Sequence, residues 1–368
     1  MTSISRKEAI AALEPLKAAI AARSALQELS HIWFDEKFVY ATNGGMGIKV
    51  KFASPLKCGV PGTLFLGLLS QTASDTLEFT FDDDVLKFKS GRSSVKLNTL
   101  PLDRMVWRYP SKPTGKALAT IKVSDVFVKA LKRVMALRPS QPKRMENHAV
   151  CIYAVDAEMD LYVTDNNSLL VAPVAEALGG SAKKIALPRE VADQIASQCK
   201  DSPELKMYED HFVVQASDKV TLYSNVFDTS EMLDLPGVAD NFTNDKTAPP
   251  FAVPEGFAAA LERAVTLAGV EEPLVTLTAS GKALKLAAKY KFGKIDEEFT
   301  LPKAIPKATI TLSARLLLSI KGVDKLAIAD KFANMRDADG FMYITAARDS
   351  AAAREAEETN QESEDDGD

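Results

Sequence analysis

Three cysteines in 368 residues, Cys58, Cys151 and Cys199, are too few, too far apart and odd in number for a disulfide framework. Such usage suits a reducing compartment. Histidine is as scarce, and His31, His148 and His211 occupy no metal-ligand spacing. No apolar run approaches membrane-spanning length and no charged-then-apolar leader opens the chain. A soluble, cytoplasmic protein without a membrane partner is therefore expected. The phosphate-binding G-x-x-x-x-G-K-[ST], the nucleophile elbow G-x-S-x-G and the zinc-protease H-E-x-x-H are all missing. Asn43-Gly44-Gly45-Met46-Gly47 lies between strands rather than ahead of a helix, and reads as a turn. Asp82-Asp83-Asp84 joins two alternating runs and reads as a solvated hairpin turn rather than a cation site. The expectation is a protein with no catalytic residues, no metal and no cofactor, hence not an enzyme.

What the chain does have is ample core-forming material. Its hydrophobic content is 46%, and its length suits two or three domains. Its charge is divided unevenly. Residues 349–368 hold nine acids against the single Arg354, so the overall −5 conceals a net +3 in residues 1–348. That acidic tail carries no aromatic residue and only Thr359 as a β-branched one. It is expected to stay disordered, because it cannot bury enough surface to fold.

Hydrophobic periodicity organises the rest. Ser5–Ala22 reads as an amphipathic segment with Ile10, Leu13, Leu16 and Ile20 on one side, interrupted at Pro15. Leu64–Leu69, Ser124–Leu137, the stretch from Leu187 to Lys200, Pro254–Ala268 and Leu312–Ile320 read as further helices. Strands are expected at His31–Phe34, Phe38–Thr42, Gly47–Phe52, Ala149–Val155, Leu161–Val163, Leu169–Val174, Val220–Phe227, Leu274–Thr278, Leu284–Phe292 and Phe341–Ala347. Pro110–Gly115 and the polar stretch after Leu233, with Pro236, Gly237, Asn241, Asn244, Pro249 and Pro250, read as linkers. Opening helices, second helices and closing strands each recur in the same order at spacings of roughly 119 to 130 residues, a domain-sized period. Three serial copies of one α+β domain follow, at 1–113, 114–245 and 246–348, with the tail at 349–368.

The helices share a basic character. Arg6, Lys7 and Lys17 belong to the first; Lys129, Lys132 and Arg133 lie opposite the apolar Phe127, Leu131 and Val134 of the next opening helix; Arg263 belongs to the third. Arg189, Lys200 and Arg315 come from second helices, while Leu64–Leu69 contributes none. For any one helix the plain reading is a solvated face. Repetition in equivalent places instead suits phosphate contact without base readout. No aromatic residues interleave with these cations, so stacking on single-stranded bases is not indicated.

Several segments resemble the bacterial DNA polymerase III β sliding clamps. Leu161-Tyr162-Val163-Thr164-Asp165-Asn166-Asn167-Ser168-Leu169 resembles that family's strand ending in T-D-G-H-R-L, and Ala22-Arg23-Ser24 with Leu29–Phe34 its R-P-T-L-P-I-L. Leu187-Pro188-Arg189, Ser224–Asp228 and Met342–Arg348 are similar to its second-helix entry, its S-K-L-V-D-G and its closing Y-V-V-M-P-M-R. The resemblance covers residues 5–348 in order. It implies a head-to-tail homodimeric ring of six domains, with helices lining the hole and sheets outside. Such a ring encircles double-stranded DNA and tethers a replicative DNA polymerase, after a clamp loader has placed it there. Arg23, Lys129, Lys132, Arg133, Arg189, Arg263 and Arg315 are then the expected DNA-facing residues, and Leu267 an apolar dimer-interface residue. Thr164, Leu169, Tyr343, Thr345 and Arg348 match the positions of a pocket for partner peptides. Two departures, Asn166-Asn167-Ser168 for Gly-His-Arg and Thr345-Ala346-Ala347 for Met-Pro-Met, mark a divergent clamp, of bacterial or phage type. The rival readings are a β-rich DNA-binding or structural protein that never closes into a ring, and a hydrolase with scattered ligands.

Overall fold

The computed structural model describes residues 2–72, 74–82, 84–90, 93–110, 115–137, 145–320 and 322–347. The expected tail, Arg348, Asp83 and residues 111–114 of the first linker lie outside the described residues. Two compact units divide the chain: Met1–Lys132, Ala154–Met159 and Val174–Ser230 in the first, Arg133–Tyr153, Asp160–Pro173 and Glu231–Asp368 in the second.

In the first unit, helix α1 (Arg6–Leu13) starts where the Ser5 hydroxyl accepts a hydrogen bond from the Glu8 amide. It tightens into a 3-10 stretch over Glu14–Ala19, with Pro15 at the junction, as the missing amide and bulky ring of proline require. The apolar stripe survives the change, since Leu13, Leu16 and Ala19 are all buried. Helix α2 is Gly62–Gln71 and longer than its predicted core. Its Phe65 meets Phe34 and Phe88 edge-on at 6.1 and 6.4 Å, and burying each such ring contributes about 2 kcal/mol. The aspartate-rich hairpin forms as expected, Thr76–Asp82 pairing antiparallel with Val85–Ser90 inside a four-stranded sheet.

A ten-stranded sheet dominates this unit. Its order runs from Gly179–Gly180 through Ala119–Lys122, Glu204–Met207, His211–Gln215, Val220–Asn225, Met46–Lys51, Phe38–Thr42, His31–Phe34 and Cys58–Pro61 to Leu100–Pro101. Helix α3 (Asp125–Val134), whose last two residues fall in the second unit, begins at Ser124, whose hydroxyl accepts from the Phe127 amide, and buries Phe127, Leu131 and Val134 as the periodicity predicts. Helix α4 (Arg189–Gln198) starts directly after Leu187-Pro188.

The second unit departs further from expectation. The stretch after Leu233 is no plain linker, for it contains helix α5 (Leu235–Thr243), opened by Asp234 with Pro236 in its first turn. Helix α6 is Phe257–Ala268. The two strands expected at 274–278 and 284–292 are one 17-residue strand, Leu274–Tyr290, paired with Gly293–Ser313 and bulged around Gly281. Helix α7 is only Ala314–Ser319, because Leu312 and Ser313 complete the preceding strand. Leu284 and Leu286 are buried as expected, but Phe292 sits in the tight turn and is 72% exposed. A further sheet places Ala149–Val155, Glu158–Thr164, Ser168–Val174, Met342–Ala346, Phe332–Asp337, Val323–Ile328 and Phe251–Ala252 side by side in that order.

Candidate partner pocket and basic helices

Two strands of the second unit meet in the turn Thr164–Ser168. The Asp165 carboxylate accepts from the amides of Asn167 and Ser168 at 2.9 and 2.7 Å. The Thr164 hydroxyl donates to the Ser168 carbonyl at 2.8 Å and accepts from the Asn166 amide at 3.1 Å. Asn166 adopts φ of 78°, the left-handed region that asparagine tolerates, and its side-chain amide donates to Asn147 Oδ1 at 3.1 Å. The turn is thus fixed by its own short polar side chains.

Beside it lies a pocket of about 480 Å³, within the usual size of small-ligand and peptide sites. Leu169, Ile344 and Ala346 form its floor, Leu235, Val238 and Phe242 of α5 one wall, and Leu233 its lip. Glu146 is the one charged side chain among its described lining. Its carboxylate accepts from the Leu233 amide at 2.7 Å, while the Tyr153 hydroxyl donates to the Leu233 carbonyl at 2.6 Å. Burial, the largest cause, raises the pKa of that tyrosine, which stays a neutral donor. Held at both backbone groups, Leu233 presents a side chain to the pocket and remains 41% exposed.

Four expected pocket residues are described, and two of them lie elsewhere. Thr164 and Leu169 line the pocket. Tyr343 and Thr345 do not: Leu169 pairs with Ile344 and Ser168 with Thr345, so the alternation of a strand turns 343 and 345 to the opposite face. There the Ser168 hydroxyl meets the Thr345 and Tyr343 hydroxyls at 3.0 and 3.2 Å. Ile344 and Ala346 take their places. The α5 wall was missed although its signal was present: Leu235, Val238, Ala239 and Phe242 stand at i, i+3, i+4 and i+7 behind an aspartate cap.

The basic residues are distributed over both units. Arg23 is exposed in the loop after the 3-10 stretch, Lys129 and Lys132 are exposed on α3, and Arg189 is half-buried at the first position of α4. In the second unit Arg315 is exposed on α7. Arg263 makes a two-pronged ion pair with Glu297, at 2.8 and 2.7 Å. Arg133 does not share the open face of Lys129 and Lys132. It pairs with Asp337, whose side chain is only 7% exposed, and its guanidinium lies 3.8 Å from the Phe341 ring centre. Leu267, half-exposed in the last turn of α6, adjoins the fully exposed Val270 and the Phe292 turn. Together they form an apolar corner that the sequence located by one residue.

No protein-family model matches the sequence, and no curated relative does. Solved structures do. The DNA polymerase III subunit β of Pseudomonas aeruginosa matches with a TM-score of 0.76 at 16% identity, over 95% of this chain and 99% of that one. A putative DNA polymerase III β subunit from Eubacterium rectale gives 0.79 at 12% identity over the same shares. The Helicobacter pylori β clamp, solved bound to a DNA ligase peptide, gives 0.75 at 16% identity, over 94% of this chain and 99% of that one. Over 95% of its length, the chain has the α+β fold of the bacterial DNA polymerase III β sliding clamps.

Proposed function

We propose that the chain is a DNA sliding clamp of the three-domain kind, with domains at 1–113, 114–245 and 246–348. Two copies close head to tail into a ring around duplex DNA and tether a replicative polymerase, so processivity comes from topology and no bond is made or broken. The observation that carries this reading is the end-to-end fold match, which leaves neither chain with a large unmatched part. Arg23, Lys129, Lys132, Arg189, Arg263 and Arg315 hold the phosphates without reading bases. Arg133 anchors its helix through Asp337 instead. The pocket beside Thr164 and Leu169 takes peptides from the polymerase and the clamp loader; the ligase peptide on the Helicobacter pylori clamp supports a peptide-binding role.

Ring closure puts the apolar corner of Leu267, Val270 and Phe292 against a second copy, and heterologous contacts that close in two copies satisfy the symmetry rules. The test is native mass. The expected particle is about twice the 39.9 kDa chain, and Leu267→Asp should convert it to monomer by placing an unpaired carboxylate in a dry contact. A wild-type monomer at all concentrations contradicts the ring.

A further inference from the structure

The turn beside the pocket occurs twice, 122 residues apart. In the first unit the Thr42 hydroxyl donates to the Met46 carbonyl at 2.9 Å and accepts from the Gly44 amide at 3.1 Å, and Asn43 takes the place of Asp165. The neighbouring strand matches as well. Gly47 pairs with Tyr223 as Leu169 pairs with Ile344, and the Asn225 amide donates to the Gly45 carbonyl as the Ala346 amide donates to that of Asn167. The two units therefore contain the same turn and strand geometry.

In the first unit that geometry is already filled by the chain itself. A Cβ on Gly47 would stand 2.5 Å from the Tyr109 ring and 3.0 Å from that of Trp107. Tyr109 stacks on Tyr223 with centroids 5.3 Å apart, and Trp107 meets Tyr223 and Tyr40 edge-on at 5.6 and 4.9 Å. The Tyr109 hydroxyl donates to the Gly45 carbonyl at 3.0 Å. Trp107-Arg108-Tyr109 thus occupies the surface whose counterpart in the second unit is the open pocket. There, a carbonyl that already takes the Ala346 amide retains a second lone pair on Asn167.

We infer that Trp107-Arg108-Tyr109 is an internal template for the pocket's ligand: a partner peptide with two aromatic side chains two residues apart, the second hydroxylated, and a basic residue with them. Rings of this kind bury large area on the aliphatic floor of Leu169 and Ile344. The hydroxyl donates to the Asn167 carbonyl, and the basic residue complements Glu146, the charged group among the described lining. This rests on the pocket's being the partner site, and it adds the chemistry of the partner.

The test uses the full chain and a labelled synthetic peptide of the sequence Arg104–Pro110, followed by fluorescence polarisation. Peptide versions carry Tyr109→Phe, Arg108→Glu, or both Trp107→Ala and Tyr109→Ala. A separate peptide carries only leucine and phenylalanine as its large side chains. The expected result is saturable binding, about fivefold weaker for Tyr109→Phe, the worth of one neutral hydrogen bond. Binding should weaken further for Arg108→Glu and vanish for the double alanine peptide. It should also be lost with Leu169→Asp in the protein, and with Leu233→Ser, whose exposed position spares the fold. Equal binding of the parent and double alanine peptides overturns the inference, as does binding that survives both protein substitutions. If the leucine-phenylalanine peptide binds and the parent does not, the inference fails and the partner site stands. If no peptide binds, both fail.

Discussion

At the residue scale, Gly47 and Tyr109 illustrate how tightly the first unit closes its copy of the pocket. Gly47→Ala should destabilise the protein by about 1–3 kcal/mol, since the methyl group has to displace two packed rings. The urea midpoint should fall with an unchanged m-value. Burial pushes the Tyr109 phenol up to about 12, so its hydroxyl stays a donor throughout the physiological range. Arg133→Ala should cost about 3–5 kcal/mol, because it leaves the buried Asp337 carboxylate without its cation, with the Phe341 amide still donating to it. Its loss should lower the unfolding midpoint before it changes the salt dependence of DNA binding. The helical wheel placed Arg133 with Lys129 and Lys132, but angle alone carries no information about a carboxylate 204 residues away. His31 adds a pH dependence. Burial, the largest cause, holds its pKa below the usual 6.5, and its Nδ1 lies 2.8 Å from the Gln27 carbonyl. The unfolded chain then binds a proton below pH 6.5 that the folded chain resists, so stability falls as pH drops from 6.5 through the lower folded value. His31→Phe should flatten that part of a stability-against-pH curve, and an unchanged slope would assign it to other groups.

At the element scale, long apolar runs and clean period-two or helical stripes were legible, and short runs broken by charged residues were not. Helix α3 carries a clean apolar stripe, and the strands on either side of Thr164 are apolar runs buried over most of their length; all appear where expected. Val323–Ile328 and Phe332–Asp337 were missed because their apolar runs are short and charged residues, Asp324, Lys325, Arg336 and Asp337, stand inside the strands. Helix α5 was concealed by composition, since Pro236, Gly237 and Asn241 suggest a linker while an apolar helical spacing runs beneath them. The pocket's wall was lost with it, and strand parity moved its floor from Tyr343 and Thr345 to Ile344 and Ala346. Phe242 links this wall to the core by packing edge-on against Phe332, 4.9 Å between centroids. Phe242→Ala should cost about 2 kcal/mol in a urea titration, below the full-core range because the ring is half-buried. The same variant should weaken peptide binding, whereas a substitution on α7 such as Arg315→Ala should not.

At the scale of the whole molecule, the order of elements was more legible than any single motif. At 12–16% identity to the matched structures, the fold is shared over 95% of the chain although most side chains differ. Phosphate contact requires only positive charge at suitable places, so the sequence named candidate cations but not the ion pairs that compete for them, such as Arg263 with Glu297. Each phosphate-contacting lysine or arginine replaced, Lys129 or Lys132 for instance, should lower the slope of log K against log salt by about 1. Binding independent of salt, or strongly selective for one sequence, would remove the basic helices from the DNA face. The most direct measurement is retention on DNA of fixed topology. Protein placed on a closed circle should remain bound through a high-salt wash and run off within the same wash once the circle is cut at one site. Equal retention on closed and cut DNA, or release from both, would contradict a ring that encircles the duplex.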